Sequence, residues 1–389
     1  MFINNWYVAA GVDDLKNGEP MFMRMLGCDF VLFRDSKGET HCLSDVCCHR
    51  GASLSKGKLK DDCVICPYHG WEFNMQGVCT KIPALGADVK PPKRARIDSY
   101  PVREKFGWIW VFLGDAPEEE RPPFLDDSWF PEYYDEATWR KVRVQYHAPV
   151  NWARSEENSI DGAHPSFVHA SFGSKRDPKV HIVPVVTHEW GASTTRERTP
   201  PDRTQKSGAM REITAEKRGK TKATTAFCFT GVTHRIEILR ADGLRQVTLS
   251  HRTPVDEFNT RTFTTQCRDY LMNEEFDRER LEGRQKAIAE DIAIVSTVRP
   301  PLPPKSTTAE LLTEADQLET AFRAMNRRME AKGWEIDSDE VEREVRRQIL
   351  VIPSPKRLTD PKNWVHKTVP TTRPRGYLTS QSDATEAAE

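Results

Sequence analysis

The 389-residue sequence has no long apolar run; the longest, around Phe106–Leu113, is far too short to span a bilayer. Its first residues lack a basic stretch followed by an apolar core, so no secretory signal is read and the cytoplasm is the expected compartment. Charge of one sign is also lacking. The formal net charge is −1, which gives no reason to expect nucleic acid or an acidic membrane as partner. There is no G-x-G-x-x-G nucleotide fingerprint, no plant-type ferredoxin cysteine spacing and no internal repeat. The nine cysteines are an odd number, and in a cytosolic chain they point to metal or redox chemistry rather than disulfides.

What is present is ordinary in bulk and specific in places. Hydrophobic residues at 38% and charged residues at 30% describe a soluble globular chain, long enough for two or three domains. The specific part begins with Cys47-Cys48-His49-Arg50-Gly51 and Cys66-Pro67-Tyr68-His69-Gly70-Trp71. Each arm carries one cysteine and one histidine, as C-x-H and C-x2-H. A structural zinc site also uses two cysteines and two histidines, but usually as separate Cys–Cys and His–His pairs. Mixed arms are what a Rieske [2Fe–2S] cluster needs, with two thiolates on one iron and two imidazoles on the other. Short β-rich segments surround the arms: Phe30–Arg34 with the turn Asp35–Gly38, Cys63–Ile65, Trp71–Phe73 and Gly107–Leu113.

These two arms resemble the Rieske motif, C-P-H-R-G and C-P-Y-H-G-W, of ring-hydroxylating and demethylating oxygenase α subunits. Cys48 departs from the proline often found there and is expected to be a bystander. Respiratory Rieske proteins add a disulfide, but Ala52 and Tyr68 stand at the matching positions, which favours the oxygenase type. The other cysteines, Cys28, Cys42, Cys63, Cys79, Cys228 and Cys267, read as small buried hydrophobes.

A second constellation follows a charged, proline-rich junction at Asp115–Pro123. Asn158, Asp161 and His164 are spaced by three, so a helix would put them on one face. Pro165 disfavours a helical His164, so that helix should end or kink there and let His169 swing back. Two imidazoles suit a first-row transition metal, and one carboxylate would complete a facial triad with sites open for oxygen. The segment resembles the N-x2-D-x2-H-x4-H signature of the same oxygenases.

The carboxylate is sought in residues 271–298, which read as one long helix with an apolar stripe of Leu281, Ile288, Ile292 and Val295. Asp291 falls about 60–70° from the centre of that stripe, while Glu290 points nearly opposite. The family's ligand sits in a similar late helix with an E-D pair, which matches Asp291; Asp277 is the runner-up.

The resemblance covers roughly residues 1–300 and implies an α+β protein. Residues 1–118 form a small antiparallel β Rieske domain. Residues 119–305 form a catalytic domain whose large antiparallel sheet is flanked by helices, helix-grip-like. Residues 306–389, beyond the resemblance, read as a charged helical extension with a polar tail. The implied cofactors are a [2Fe-2S] cluster on Cys47, His49, Cys66 and His69, and mononuclear non-haem Fe(II) on His164, His169 and Asp291. In the family, the residue matching Asp161 bridges a ligand histidine to a Rieske histidine, here His69, of the next subunit in a homotrimer, and Asn158 lies nearby. The implied partners are O2, a small aromatic substrate and a separate NAD(P)H-dependent reductase or ferredoxin.

N-N-W-Y-V-A-A near the N-terminus is closest to the vanillate and dicamba demethylase branch, which hydroxylates, O-demethylates or N-dealkylates small aromatics; a cis-dihydroxylating dioxygenase is the alternative within the family. Rivals from other classes are a Rieske electron carrier and a zinc-stabilised binding protein.

Beyond residue 180, Val180–Val186, Ala226–Thr230, Thr233–Leu239, Gln246–His251 and Thr260–Gln266 alternate as strands, and Val142–His147 precedes them. His251–Pro254 and Arg261–Phe263 resemble the paired strands that line substrate pockets in the family. Residues 191–225 read as an exposed polar insertion. No cluster of arginines in the sequence announces an acidic substrate.

Overall fold

Cys28–Arg34 is apolar on both sides of its pleat. Phe30 and Leu32 enter one core, Val31 and Phe33 another, and all four are buried. The computed structural model, which describes residues 1–86, 88–169, 178–181, 183–198, 220–306 and 308–372, places this strand in a four-stranded antiparallel sheet. Its neighbours are Met21–Met25 and Thr40–Ser44, with Ser99–Tyr100 beyond. A second four-stranded sheet, from Lys58–Lys60 to Cys79–Lys81, lies over the Val31/Phe33 side and shares the core that holds Cys47 and Cys66. The cysteine–histidine arms are the loops that leave these two sheets.

The rest is organised by a seven-stranded antiparallel sheet. Its strands are β1 (Arg140–Ala148), β2 (Val186–His188), β3 (Gly191–Arg198), β4 (Thr221–Cys228), β5 (Thr233–Leu239), β6 (Arg245–Pro254) and β7 (Thr260–Arg268), in spatial order β1-β7-β6-β5-β4-β3-β2. The α+β class expected from the sequence is the one observed. Period-2 alternation decides what each face does. On one face of β6 and β7, Val247, Leu249, Phe263 and Cys267 meet Trp108 and Trp110 of the N-terminal part in an apolar core. On the other, Thr248, Ser250, Arg252, Thr262, Thr264 and Gln266 are buried yet polar. A buried polar face is costly unless its groups are bonded, and cross-strand bonds such as Ser250 to Thr264 (2.9 Å) satisfy part of it.

Helices α1 (Trp152–Ile160), α2 (Pro165–Val168) and α3 (Glu275–Val295) cover that polar face, and α4 (Gln317–Ala331) packs behind α1 and β3. Leu318, Phe322, Met325 and Met329 of α4 enter a core continuous with Phe30, Trp152 and Phe227, so packing runs without a break across residues 118 and 305. Arg323 of α4 holds Glu157 of α1 through two hydrogen bonds, at 2.6 and 3.1 Å, and Glu310 at 2.7 Å. The C-terminal segment therefore braces the helix that leads to the second site.

Two expectations fail. Residues 191–198 and 221–225 are not an insertion but parts of β3 and β4, with Thr194 and Arg196 buried. A threonine- and arginine-rich strand whose inward face is polar carries no apolar period. Residues 199–219 lie outside the described residues, as does the tail from 373. Among the described residues of Val180–Val186, only Val186 is in a strand.

Candidate metal centres

The first site is built from two loops with the same backbone. In each, the cysteine N–H donates to the carbonyl five residues on (Cys47 to Ala52, 2.9 Å; Cys66 to Trp71, 2.8 Å). In each, a glycine N–H returns to the cysteine carbonyl (Gly51 to Cys47, 2.9 Å; Gly70 to Cys66, 3.0 Å). Both glycines sit at φ +71°, the left-handed region where a side chain is strained. The histidine falls at the third position of the first loop and the fourth of the second, and the two imidazoles end side by side, ring centroids 4.6 Å apart. Trp71 stacks flat on His49 at 4.6 Å.

The donors divide by depth. Cys47 and Cys66 are buried, whereas His49 and His69 are exposed. Burial and nearby Cys66 push the Cys47 thiol up to about 12, so only a cation at the site would make it a thiolate. Desolvation, with His49 and Arg50, lowers His69 and favours the neutral imidazole that a metal requires. Two inner thiols and two outer imidazoles fit a [2Fe–2S] rhomb with one all-sulfur iron and one histidine iron. Cys48 turns away into the core beside Cys79, as a bystander should.

The second site begins where α1 ends. Asp161 is its C-cap, in extended conformation (φ −63°, ψ 134°), so the helix stops before His164 rather than at it. His164 is itself αR and opens α2, with Pro165 as the first helical residue, where a missing N–H costs nothing. The reason is Asp161. Its carboxylate accepts from the N–H of Ala163 (2.6 Å) and of His164 (3.1 Å), closing the turn, and also meets Nδ1 of His164 at 3.1 Å. Burial would raise this carboxyl, but those bonds hold it below its usual value.

His169 caps the other end of α2, and its ring lies 5.4 Å from that of His164. Asp291 meets both: its Oδ1 is 3.6 Å from His164 Nε2 and 3.3 Å from His169 Nε2. The ligand atoms of the three residues all lie within 4.8 Å of one another. That Oδ1 is buried, and no donor meets it with hydrogen-bond geometry among the described residues. An orphaned carboxylate oxygen facing two imidazole nitrogens is what a site for a small divalent ion looks like without the ion. Desolvation opposes ionisation of Asp291, but His169 and Asn158 outweigh it and lower its pKa. The residues fit mononuclear iron.

Asp277, the runner-up, is elsewhere: it joins Arg140 (2.6 Å) and the fully buried Arg268 (2.5 Å). Glu290, expected to point away, instead accepts at 3.0 Å from Nδ1 of His169. The helical wheel misjudged it because the reference stripe is mostly half-exposed, with only Ile288 buried, and the long Glu290 side chain reaches around the helix edge. Asn158 lines a cavity beside Asp291 together with Tyr146, Ser155, Ser159 and Arg252. Arg252 donates to the Ser155 hydroxyl at 3.1 Å and pairs with Glu156 at 3.3 Å. Its neighbour His251 faces the other way, edge-on to Trp110 at 4.5 Å, so only alternate residues of that strand reach the cavity.

Comparison with known proteins agrees with this geometry. The Rieske [2Fe-2S] domain model matches residues 5–101, and the vanillate O-demethylase oxygenase C-terminal domain model matches residues 118–332, more than half of the chain. The chain is a member of the Rieske oxygenase family. In this family the catalytic domain carries mononuclear non-haem iron, in addition to the cluster of the Rieske domain.

This Rieske oxygenase chain is 35% identical over 192 residues to the toluene-4-sulfonate monooxygenase system iron-sulfur subunit TsaM1 of Comamonas testosteroni (49% of this chain, 52% of that protein). It is 32% identical over 176 residues to the 5,5'-dehydrodivanillate O-demethylase oxygenase subunit of Sphingobium sp. (44% of this chain, 39% of that protein). It spans about half the length, or less, of the curated relatives it matches. In fold it is similar to Pseudomonas putida CBB5 NdmA with caffeine, with a TM-score of 0.69 at 21% identity, covering 84% of this chain and 91% of that one.

Proposed function

We propose that this chain is the oxygenase component of a multicomponent system. It would take electrons from a separate NAD(P)H-dependent reductase or ferredoxin and use O2 to hydroxylate, or oxidatively demethylate or dealkylate, a small aromatic compound. The observation that carries this reading is the convergence of His164, His169 and Asp291 in a chain that also holds the paired cysteine–histidine loops. A bare electron carrier has no use for the second site. When bound, the cluster supplies single electrons and the mononuclear iron supplies oxygen activation.

The protein's own residues divide the remaining work. Cys47, Cys66, His49 and His69 hold the cluster, with the imidazoles at the surface where electrons enter and leave. Asp161 and Glu290 each hold Nδ1 of a ligand histidine, fixing the tautomer that presents Nε2 to the metal. Asn158 steadies Asp291. Three protein ligands leave the cavity side of the site open, next to the polar groups of Ser155 and Ser159.

In a homotrimer, the exposed His69 of one subunit would meet Asp161 of the next, joining the two metals through one carboxylate. Residues 1–118 would serve as the electron-accepting domain and 119–305 as the catalytic domain, with α4 of the 306–389 segment as the brace of α1. No helix among the described residues is long and apolar enough to cross a membrane, and the cytoplasm is the proposed compartment.

Iron analysis and oxygen uptake test the reading together. The oxygenase should hold about three irons per chain and consume O2 when supplied with a compatible reductase and an aromatic substrate. About two irons and no uptake would instead indicate an electron carrier.

A further inference from the structure

We propose that residues 349–369 strap the first cysteine–histidine loop in place, with His366 as a positioning residue that raises the reduction potential of the cluster. This segment lies beyond both family models, which end at residues 101 and 332. The inference does not need the oxygenase reading. It rests only on Cys47, His49, Cys66 and His69 holding the cluster.

The segment follows α4 in the chain yet packs on the Rieske part. Its two ends close on each other: Leu350–Val351 pairs in parallel with Lys367–Thr368, and the Val369 N–H donates to the Val351 carbonyl at 2.9 Å. Val351 and Ile352 are buried. The Tyr100 hydroxyl donates to the Ile352 carbonyl at 2.7 Å, and the Cys28 thiol lies 3.8 Å from the Leu350 carbonyl. Farther along, Arg96 donates to the Asn363 carbonyl at 3.1 Å, with its guanidinium 4.0 Å from the Trp364 ring centre.

Asp98 is the main anchor. Its buried carboxylate accepts from the Ser354 hydroxyl at 2.7 Å and twice from Arg357 at 2.8 Å. Charge-assisted, two-point bonds of this kind are the strong ones, so the segment is a fixed wall rather than a loose tail. The carbonyl of the same Asp98 accepts from the N–H of Ser44 at 2.9 Å, three residues before Cys47. One residue thus ties the strap to the strand that feeds the cluster loop.

Two side chains of the strap then reach the loop itself. A Cβ added to Gly51 would come within 3.0 Å of Ile349 Cδ1, so Ile349 lies on the turn whose N–H returns to the Cys47 carbonyl. Arg357 also donates to the His366 carbonyl at 3.2 Å, which fixes the backbone of that residue. The His366 imidazole is buried and meets the backbone of Cys47, while its Nε2 has no hydrogen-bond partner among the described residues. An N–H directed at the Cys47 carbonyl turns its positive end toward a cluster ligand and favours the added electron. Cluster potentials respond to hydrogen bonding and to solvent exposure around the ligands, and the strap supplies a donor and a cover at one loop.

The test is a spectroelectrochemical titration of the cluster in the full-length protein, without substrate or O2. His366→Phe keeps the bulk of the ring and loses the N–H. The potential should fall by at least about 28 mV, a threefold change in the one-electron equilibrium. His366→Gln, which retains an N–H donor, should recover more than half of that fall. Ile349→Ala, at a half-exposed position, keeps the inference testable if His366→Phe does not fold; a chelator should bleach its cluster at least about threefold faster than that of wild type. Mononuclear iron content should match wild type in all three. A potential that His366→Phe leaves unchanged or raises, a Gln variant as low as the Phe variant, or bleaching of Ile349→Ala at the wild-type rate would each overturn the strap. A wild-type protein without Rieske absorption would overturn the ligand assignment first and the strap with it.

Discussion

Glu290 and His169 are joined by a 3.0 Å hydrogen bond between Oε2 and Nδ1, while Asp291, the next residue in the chain, faces Nε2 of the same ring at 3.3 Å. Consecutive carboxylates of one helix thus hold opposite edges of one imidazole. One is placed to ligate a metal, the other to orient and polarise the ligand. Against burial, which lowers it, the two carboxylates raise the pKa of His169. A metal at Nε2 would compete with a proton for that nitrogen.

Glu290→Ala should therefore weaken iron binding without removing a ligand. Loss of an outer hydrogen-bond partner of a ligating histidine costs roughly 10–100-fold in metal affinity. Competition with a chelator measures it, and the cluster's visible absorption should be unaffected. Unchanged iron affinity would reduce the Glu290 contact to a local ion pair.

Asp291→Ala and Asp277→Ala should part company. The first should abolish retention of the mononuclear iron in a folded protein that keeps its cluster. The second should leave iron content normal but destabilise the fold by about 3–5 kcal/mol, because Arg268 would be left buried without its carboxylate. Iron analysis paired with urea unfolding separates them.

Asp161→Asn keeps the shape of the turn but gives up the charge that holds His164 Nδ1–H. Both metals should remain, while electron transfer from the reduced cluster to the catalytic iron slows by more than about tenfold. Single-turnover absorption kinetics read this directly. Transfer at the wild-type rate would end the bridging role.

A pH effect is expected from α4. Desolvation raises the Glu319 carboxyl to about 8, with nearby Asp161 adding to the rise, and neither of its oxygens has a hydrogen-bond partner among the described residues. The folded state keeps this proton up to about pH 8, whereas the unfolded chain releases it near the ordinary glutamate value of 4.5. The stabilisation is thus fully present below pH 4.5 and is lost as pH rises through about 8. Glu319→Gln, which cannot ionise, should gain on the order of 2–4 kcal/mol over wild type at pH 8.5 and nearly nothing at pH 4.5. Denaturant unfolding at the two pH values provides the comparison; parallel losses in both proteins would show that Glu319 is solvated.

Short spacing together with the family resemblance was enough to single out His164, His169 and the two cysteine–histidine arms as candidates, because a loop of a few residues fixes how far its donors can be apart. The same locality made most strands legible: Thr233–Leu239 and the segments around Gln246–His251 and Thr260–Gln266 alternate plainly. It failed for β3, whose inward threonine and arginine face a polar interior that only the folded chain creates.

What tertiary structure decided is which distant charges meet. The side to which Glu290 reaches and the capture of Asp277 by two arginines depend on how α3 is seated over β1, β6 and β7. Electrostatic partnership is a matter of ångströms across elements separated by more than a hundred residues in sequence, as His169 and Glu290 are (121 apart). Local spacing carries no record of those distances. The sequence alone put forward the candidate ligands, and the packing of one helix on one sheet determined the charges around them.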